Sequence, residues 1–590
     1  MQKGLITFKD MLIGDRIFQV PIYQRNYSWE EKQWDDLWDD LFYLKSGKRH
    51  YFGTLLLRTT EECRKSGVKS FEVHEIIDGQ QRTATVLVLL KEIIRQLQTI
   101  DDEDIKGQIG RLTEDYLIYR DVYKLELLGD DKEFFRKCII EDIDYPDEIL
   151  TPSQRRLRKA KLFFRNKIEH QKTAAPADAF KDFLLGLKQK VDNMDIITYE
   201  VENSADAVLI FETVNDRGKI LTNLEKTKSF LMHAIYLSAP EELSDYLRQV
   251  DNRFANIFRW FEVIKNTERG ENLREDDIQR YHFIVYETEA SSRREESYQY
   301  MRFLRQKVRQ LYRKDTIKCL EFALDYTKDL EIAFFTLKEI STLNDKSEIE
   351  DILKRIFALE RVANFFPLMI AAWIEFRKDK EKLQTILRLI ETLAFRAYAI
   401  GRRRADAGEG WLYDLAYSVH RNSLDYDGIL NELEEIINYY ANNRAFERDL
   451  KHDEFYTRVA NRDVKYVLYE YEKFLREASG EPLDVKLEDI LSPKFQIEHI
   501  WPQDTSKLGL SEESKRIHEN YMHKLGNLTI ASKYWNSRWG NEPFNTKKDE
   551  YRKSLLRVQK DLSEMKKWGE YEIEERQNKL VRFALERWRI

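Results

Sequence analysis

At 590 residues the chain is too long for a single hydrophobic core, so two to four domains are expected, and a formal net charge of −7 excludes a molecule that grips nucleic acid with its whole surface. Hydrophobic residues at 42%, charged residues at 34% and only ten prolines fit ordinary cores with long exposed helices, not a loop-rich β protein. Three widely spaced cysteines (Cys63, Cys138, Cys319) exclude a disulfide framework and a Cys-ligated zinc site; with no apolar leader, membrane-length run or lipidation signal, a reducing cytoplasm is the expected compartment.

In chain order, residues 1 to about 100 mix strands and helices. Phe18–Ile22, Tyr51–Leu57 and Phe71–Ile77 have strand composition. Ser28-Trp-Glu-Glu31 reads as a capping box opening a helix through Trp34, Leu37, Trp38 and Leu41, which share one face. That spacing favours core packing over a base-stacking platform for Trp29, Trp34 and Trp38. An apolar helix follows from Gln81 to Leu97.

The pattern is then mostly helical to about residue 240, with a loop at Gln171–Asp178 and a strand at Met194–Val201. Thr222-Asn-Leu-Glu225 reads as a second capping box. Helix follows helix from 240 to about 475, including Ile352–Phe376 and Leu383–Ile400. Gly401-Arg-Arg-Arg404 is either a DNA-backbone contact or a solvated charge cluster. Ala478–Pro482 is the clearest boundary. From Lys533 to Ile590 fifteen Lys/Arg stand against ten Asp/Glu, a locally positive end.

Two motifs carry chemistry. Ile76-Ile-Asp-Gly-Gln-Gln-Arg82 sits where a strand hands over to a helix. There Gly79 permits close backbone approach and the free N–H groups of the new helix attract anions. Arg82 can add a bidentate phosphate contact and Asp78 can orient a metal or a water. The same residues also read as an Asp-Gly turn followed by a surface charge. No Gly-rich lysine loop of the Walker type is present. The second motif is Gln496-Ile-Glu-His-Ile-Trp-Pro502 with Gly526-Asn-Leu-Thr-Ile-Ala-Ser-Lys-Tyr-Trp-Asn536. His499 can activate water, Glu498 and Asn536 can hold one divalent metal against a scissile phosphate, and Asn527 can brace the loop that aims His499. His523 reads as structural.

Glu498, His499, Asn527 and Asn536 resemble the HNH nucleases, whose ββα-metal fold is a hairpin followed by a helix. Pro21–Trp29, His50–Gly53, Ile77–Arg82 and Phe211–Gly218 occur in an order that resembles the N-terminal domain of GmrSD-type (type IV) restriction enzymes, related to ParB and sulfiredoxin folds. Pro543-Phe544, Lys547-Lys548, Tyr551, Trp568, Arg576 and Trp588 match the tail of the nuclease half.

The resemblance covers roughly 1–235 and 485–590. It implies an α+β, mostly helical protein: a ParB-like α/β nucleotide-binding and sensing domain (1–235), a helical spacer or relay (236–480) and an HNH nuclease domain (481–590). It places Asp78, Gly79, Gln80, Gln81 and Arg82 in a nucleotide motif, with Gln24, Arg25, Asn215, Asp216, Arg217 and Gly218 matching further family positions. His499, Asn527 and Asn536 are the expected catalytic residues, and Glu498 with Asn536 the expected metal ligands. Magnesium or manganese and a nucleoside triphosphate, GTP first, are the implied cofactors, and double-stranded, modified DNA is the implied partner of a cytoplasmic protein able to oligomerise. An NTP-regulated endonuclease of a phage-defence system is the leading expectation. A sensor or scaffold with a vestigial nuclease is the alternative, disfavoured by the intact Glu/His/Asn/Asn set.

Overall fold

The computed structural model describes residues 4–21, 24–45, 47–144, 151–174, 176–201, 222–238, 243–286 and 297–590. The class is α+β and mostly helical. Two compact units emerge: residues 1–279 with 299–338, and residues 280–298 with 339–590. No described helix is long and apolar enough to cross a membrane.

The first unit is built on a mixed six-stranded sheet. Its strands are β1 (Gly4–Thr7), β2 (Arg16–Gln19), β3 (Tyr51–Ser66) and β4 (Lys69–Asp78), with Leu125–Glu126 and Asp195–Glu200. Across the sheet the order is β1, Asp195–Glu200, β3, β4, β2, Leu125–Glu126. β2 ends at Gln19, short of the expected Ile22, because Pro21 has no N–H to give a ladder. β3 runs well past the expected Leu57 and pairs with β4 as a long antiparallel hairpin with two register shifts.

Helix α1 (Phe8–Leu12) follows β1, and α2 (Glu31–Phe42) buries Trp34, Leu37, Trp38 and Leu41, the face expected from their spacing. Its cap is Glu30 paired with Gln33, not Ser28, because the Ser28 N–H is taken by the Gln81 side chain. α3 (Gln80–Leu97) is buried on nearly every side. The helices Pro152–Ala174 and Ala177–Asp192 pack against it, so its continuous apolar run is what a central helix requires. The capping box at Thr222 forms: the Glu225 N–H donates to Thr222 Oγ1 and the Thr222 N–H to the Glu225 carboxylate.

The second unit is helical with a short hairpin. The expected helix Ile352–Phe376 is two helices, Glu348–Ala358 and Phe366–Phe376, separated where Glu360 turns to φ +56°. Apolar periodicity runs through that break because both helices face the same core. Lys380–Leu393 passes into a π-helical turn at Ala394–Ile400. Asn461–Ser479 stops at Gly480, whose φ of +67° is the left-handed cap that glycine supplies without strain. Strands Phe495–His499 and Leu528–Ser532 pair antiparallel, the helix Lys533–Trp539 follows, and Glu570–Arg587 is the final helix.

These helices converge on Glu391. Its carboxylate, with no exposed surface, accepts from Tyr466 Oη at 2.7 Å, Arg587 Nη2 at 2.7 Å, Trp588 Nε1 at 3.1 Å and Arg355 Nε at 3.1 Å. Burial alone would raise its pKa; Arg587 and Arg355 outweigh that and hold it below the usual carboxylate range. Glu391→Ala would leave Arg355 without its carboxylate and Arg587 with Glu470 alone, and would unpair Tyr466 and Trp588, so it is expected to cost about 3 kcal/mol. The measurement is a denaturant midpoint on the full chain, and a midpoint equal to wild type would show that the cluster contributes nothing net.

Candidate functional site

Gln496, Glu498 and His499 lie on the Phe495–His499 strand, and Asn536 lies on the helix that follows its partner strand. Cross-strand register sets His499 opposite Leu528 and Glu498 opposite Thr529. All four line one concavity of about 540 Å³, together with Tyr456 and Lys533.

Two buried polar atoms there have no partner: His499 Nε2 and Asn536 Oδ1. Asn536 donates its Nδ2 to Gln496 Oε1 at 2.7 Å. The His499 ring meets Tyr456 edge-on, centroids 4.5 Å apart, with His523 at 5.6 Å. Burial, reinforced by His523 and Lys547, pushes the His499 pKa down to about 3, so the imidazole is neutral at physiological pH and can accept a proton. Burial also pushes Glu498 up to about 7, against the pull of Lys547.

Lys547 has no counterpart among the expected catalytic residues. Its ammonium, almost fully buried, donates to Glu498 Oε1 at 2.5 Å and to the His499 carbonyl at 2.9 Å. Lys547 is one of four charged residues in a row on the helix Phe544–Tyr551, and its position in the sequence gives no physical hint of that pairing. Gln496 was more accessible to reasoning, since period-2 alternation sets it on the face of Glu498.

Asn527 lines no part of the concavity. It is fully buried, its Nδ2 donating to the carbonyls of Trp501 and Met522, each at 2.9 Å, while its Oδ1 accepts from the Trp501 N–H at 2.7 Å and Trp568 Nε1 at 3.0 Å. An Asn side chain offers two donors and two lone pairs, so nothing remains for a phosphate. Asn527 instead ties the main chain of Trp501 and Met522 and the Trp568 ring together. The adjacent Gly526 is required by space, because a Cβ there would meet the Ile573 carbonyl at 2.2 Å.

Among the described residues no group of three His, Cys, Asp or Glu side chains could hold a metal. The donors present still fit a hydrated divalent cation. An unpartnered amide oxygen and one carboxylate beside an open concavity suit magnesium or manganese, which keep several waters and take ligands from substrate phosphate.

In the first unit the Asp78–Arg82 motif points inward. Arg82 donates to the carbonyls of Phe52 at 3.0 Å and Thr54 at 2.7 Å and to Asp78 at 3.1 Å. Gly53 and Gly79, both at positive φ, leave the space this needs. Gln80 donates to the Arg25 carbonyl, Gln81 to that of Asn26, and Gln24 to those of Ile76 and Ile77. The expected nucleotide motif therefore stitches α3 to the segment 24–28.

Of its members with Gln24 and Arg25, Arg25 alone lines the neighbouring cavity of about 160 Å³, whose other cations are Arg156, Lys228 and Arg259. Burial lowers the Arg25 pKa, opposed by Glu225 at 3.9 Å. Asn215, Asp216, Arg217 and Gly218 lie outside the described residues.

Two family profiles match the chain: the GmrSD restriction endonuclease, N-terminal domain, over residues 7–232, and the GmrSD restriction endonucleases, C-terminal domain, over residues 440–583. No curated protein matches it. Carrying both domains in order, the chain belongs to the GmrSD restriction endonuclease family.

Asn527→Ala removes the partner of four part-buried groups, each costing up to about 1–3 kcal/mol where water cannot replace it. A lowered melting temperature together with lost cleavage is expected. A variant that melts like wild type would remove the bracing role.

Proposed function

From its place in that family we propose that the protein is a metal-dependent DNA endonuclease of a phage-defence system, regulated by a nucleoside triphosphate and directed at modified foreign DNA. The observation that carries the nuclease half is the pair of unpartnered buried atoms, His499 Nε2 and Asn536 Oδ1, on the wall of one concavity. Neutral His499 takes the proton from the water that attacks phosphorus. Tyr456 against its ring and Asn527 behind its strand fix the direction of Nε2. Lys547, bonded to both the Glu498 carboxylate and the His499 carbonyl, fixes the spacing of the two neighbouring residues. Glu498 and Asn536 would hold magnesium or manganese, which when bound supplies charge stabilisation at the phosphate and the leaving oxygen.

The regulatory half belongs to the cavity beside Arg25. Its four cations are set among five carboxylates (Asp130, Glu225, Asp251, Glu262 and Glu275), with Lys228 on Asp251 at 2.7 Å and Arg259 on Asp130 at 3.2 Å, so a phosphate would take over those pairings; Phe258 and Phe261 add apolar wall. At about 160 Å³ it is small beside the ~300 Å³ lower range of ligand pockets, so the described walls would enclose only part of a nucleotide. Arg25 is the phosphate contact in this reading, and Arg82 holds the segment that carries it. GTP is the first nucleotide to test, on resemblance.

Cleavage of modified and unmodified DNAs by the full chain, with and without each triphosphate and magnesium, tests the whole proposal. His499→Ala is expected to abolish cutting while keeping the wild-type melting temperature; full activity in the folded variant would sink the base assignment.

Calorimetry addresses the nucleotide separately. GTP is expected to bind the wild-type chain and to bind Arg25→Ala about tenfold or more weakly, the loss of one charge-assisted bond. If no triphosphate binds the wild type, the regulatory half fails and the nuclease half stands.

A further inference from the structure

The arginine run Arg402–Arg404, between the two matched domains, forms the wall of a second concavity. It measures about 650 Å³ and also includes Trp411 and Tyr440. Its loop is built rigidly. Arg403 donates through Nε and Nη2 to the Tyr440 carbonyl at 3.1 and 3.0 Å, and its N–H bonds the Ala397 carbonyl at 3.0 Å. Asn364 holds the Ala405 carbonyl and Tyr398 that of Ala407. One arginine thus serves to hold the loop, while Arg402 and Arg404 are exposed.

This display strains the backbone. Arg402 sits at φ +53°, the left-handed region that a side chain with a Cβ disfavours, directly after the π-helical turn Ala394–Ile400 and Gly401. The left-handed turn at Arg402 closes the helix end, letting the Arg403 N–H reach the Ala397 carbonyl, and it leaves the Arg402 guanidinium exposed.

Local charge is positive at the rim. Asp406 is at 3.2 Å from Arg404, and Glu409, buried, is held by Arg280 and Tyr413. Trp411 is fixed by its N–H on Glu432 at 2.7 Å. Rigidly displayed arginines beside a concavity match the phosphate geometry of a nucleic-acid backbone, and Arg404 can exchange its Asp406 partner for a phosphate.

We propose that this loop is a DNA-backbone-binding surface, separate from the cutting centre in the same unit, that holds duplex by its phosphates without reading sequence. The proposal rests on DNA being the substrate, the reading argued above.

The test is fluorescence anisotropy of a labelled duplex with the full chain in EDTA, across a salt series. Removing one arginine that touches a phosphate should flatten the slope of log affinity against log salt by about 1, so Arg402→Gln with Arg404→Gln should flatten it by about 2 and bind about tenfold more weakly. Arg402→Gly adds a readout that a structural role would not give: relief of the left-handed strain should raise the melting temperature while the slope flattens by about 1. An unchanged slope in both variants overturns the proposal. So does arginine-dependent binding of a labelled mononucleotide without duplex binding, which would assign the loop to a free phosphate ester. Nicking assays run in parallel keep the two readings apart. Nicking with an arginine-independent slope defeats this surface alone, and an arginine-dependent slope without magnesium-dependent nicking defeats the nuclease reading alone.

Discussion

A carboxylate removed from water must be surrounded by donors, and Glu391 meets that demand with donors from three other segments of the second unit. Arg355 comes from Glu348–Ala358, Tyr466 from Asn461–Ser479, and Arg587 and Trp588 from the end of the final helix. Trp588 also stacks on Phe395, so an apolar contact and a polar one fix the same chain end. The other end of that helix braces the nuclease turn. Arg576 donates to the carbonyls of Gly526 and Leu528, each at 2.7 Å, and Gln577 accepts from the Gly526 N–H. About 16 Å of helix separates Arg576 from Arg587. A helix anchored to a buried ion cluster at one end and to the turn before Asn527 at the other transmits position rigidly. The turn that leads into the Leu528–Ser532 strand is therefore tied, through one helix, to a cluster that contacts neither strand.

The first unit uses another version of the same physics. Gln24, Gln80, Gln81 and Arg82 have side chains suited to ligands, yet each is bound to main-chain carbonyls or N–H groups nearby. An irregular segment such as 24–28 cannot satisfy its backbone in a ladder, so side chains from a helix start do so instead. That leaves Arg25 turned to the cavity with its desolvation cost only partly offset by Glu225, where a further anion would offset more of it.

Much of this was legible in the sequence where local pattern decides. The α2 face through Trp34, Leu37, Trp38 and Leu41, the Thr222 capping box and the Gly480 stop follow from spacing or from one residue's φ preference, whereas the pairing of the Phe495–His499 and Leu528–Ser532 strands was expected only from the resemblance. What was not legible depends on partners distant in sequence. The cap moved from Ser28 to Glu30 because of Gln81, 53 residues on. Glu360 broke an apolar run that periodicity alone reads as continuous. Lys547 reaches Glu498 across 49 residues, from a helix that presents it as one more charge among many. At the site, the roles of Asn527 and Asn536 separate only once their partners are known, since one amide is saturated and the other keeps a bare oxygen.

That bare oxygen belongs to a centre whose charges are unusually suppressed. Burial favours the uncharged form of every ionisable group, which lowers a histidine's pKa and raises a carboxylic acid's, and at His499 and Glu498 it does both in adjacent residues. The shifts act oppositely on function. A His499 kept neutral leaves its Nε2 lone pair free, whereas a Glu498 that favours its proton is a poor ligand. Lys547 addresses the second without undoing the first: its ammonium favours ionised Glu498 and simultaneously disfavours imidazolium at His499. One buried lysine thus favours the neutral imidazole and the ionised carboxylate at the same time. The penalty is a cation already seated on the carboxylate, so the open concavity and the unpartnered Asn536 oxygen, not Glu498 alone, give the centre its capacity for a further positive ion.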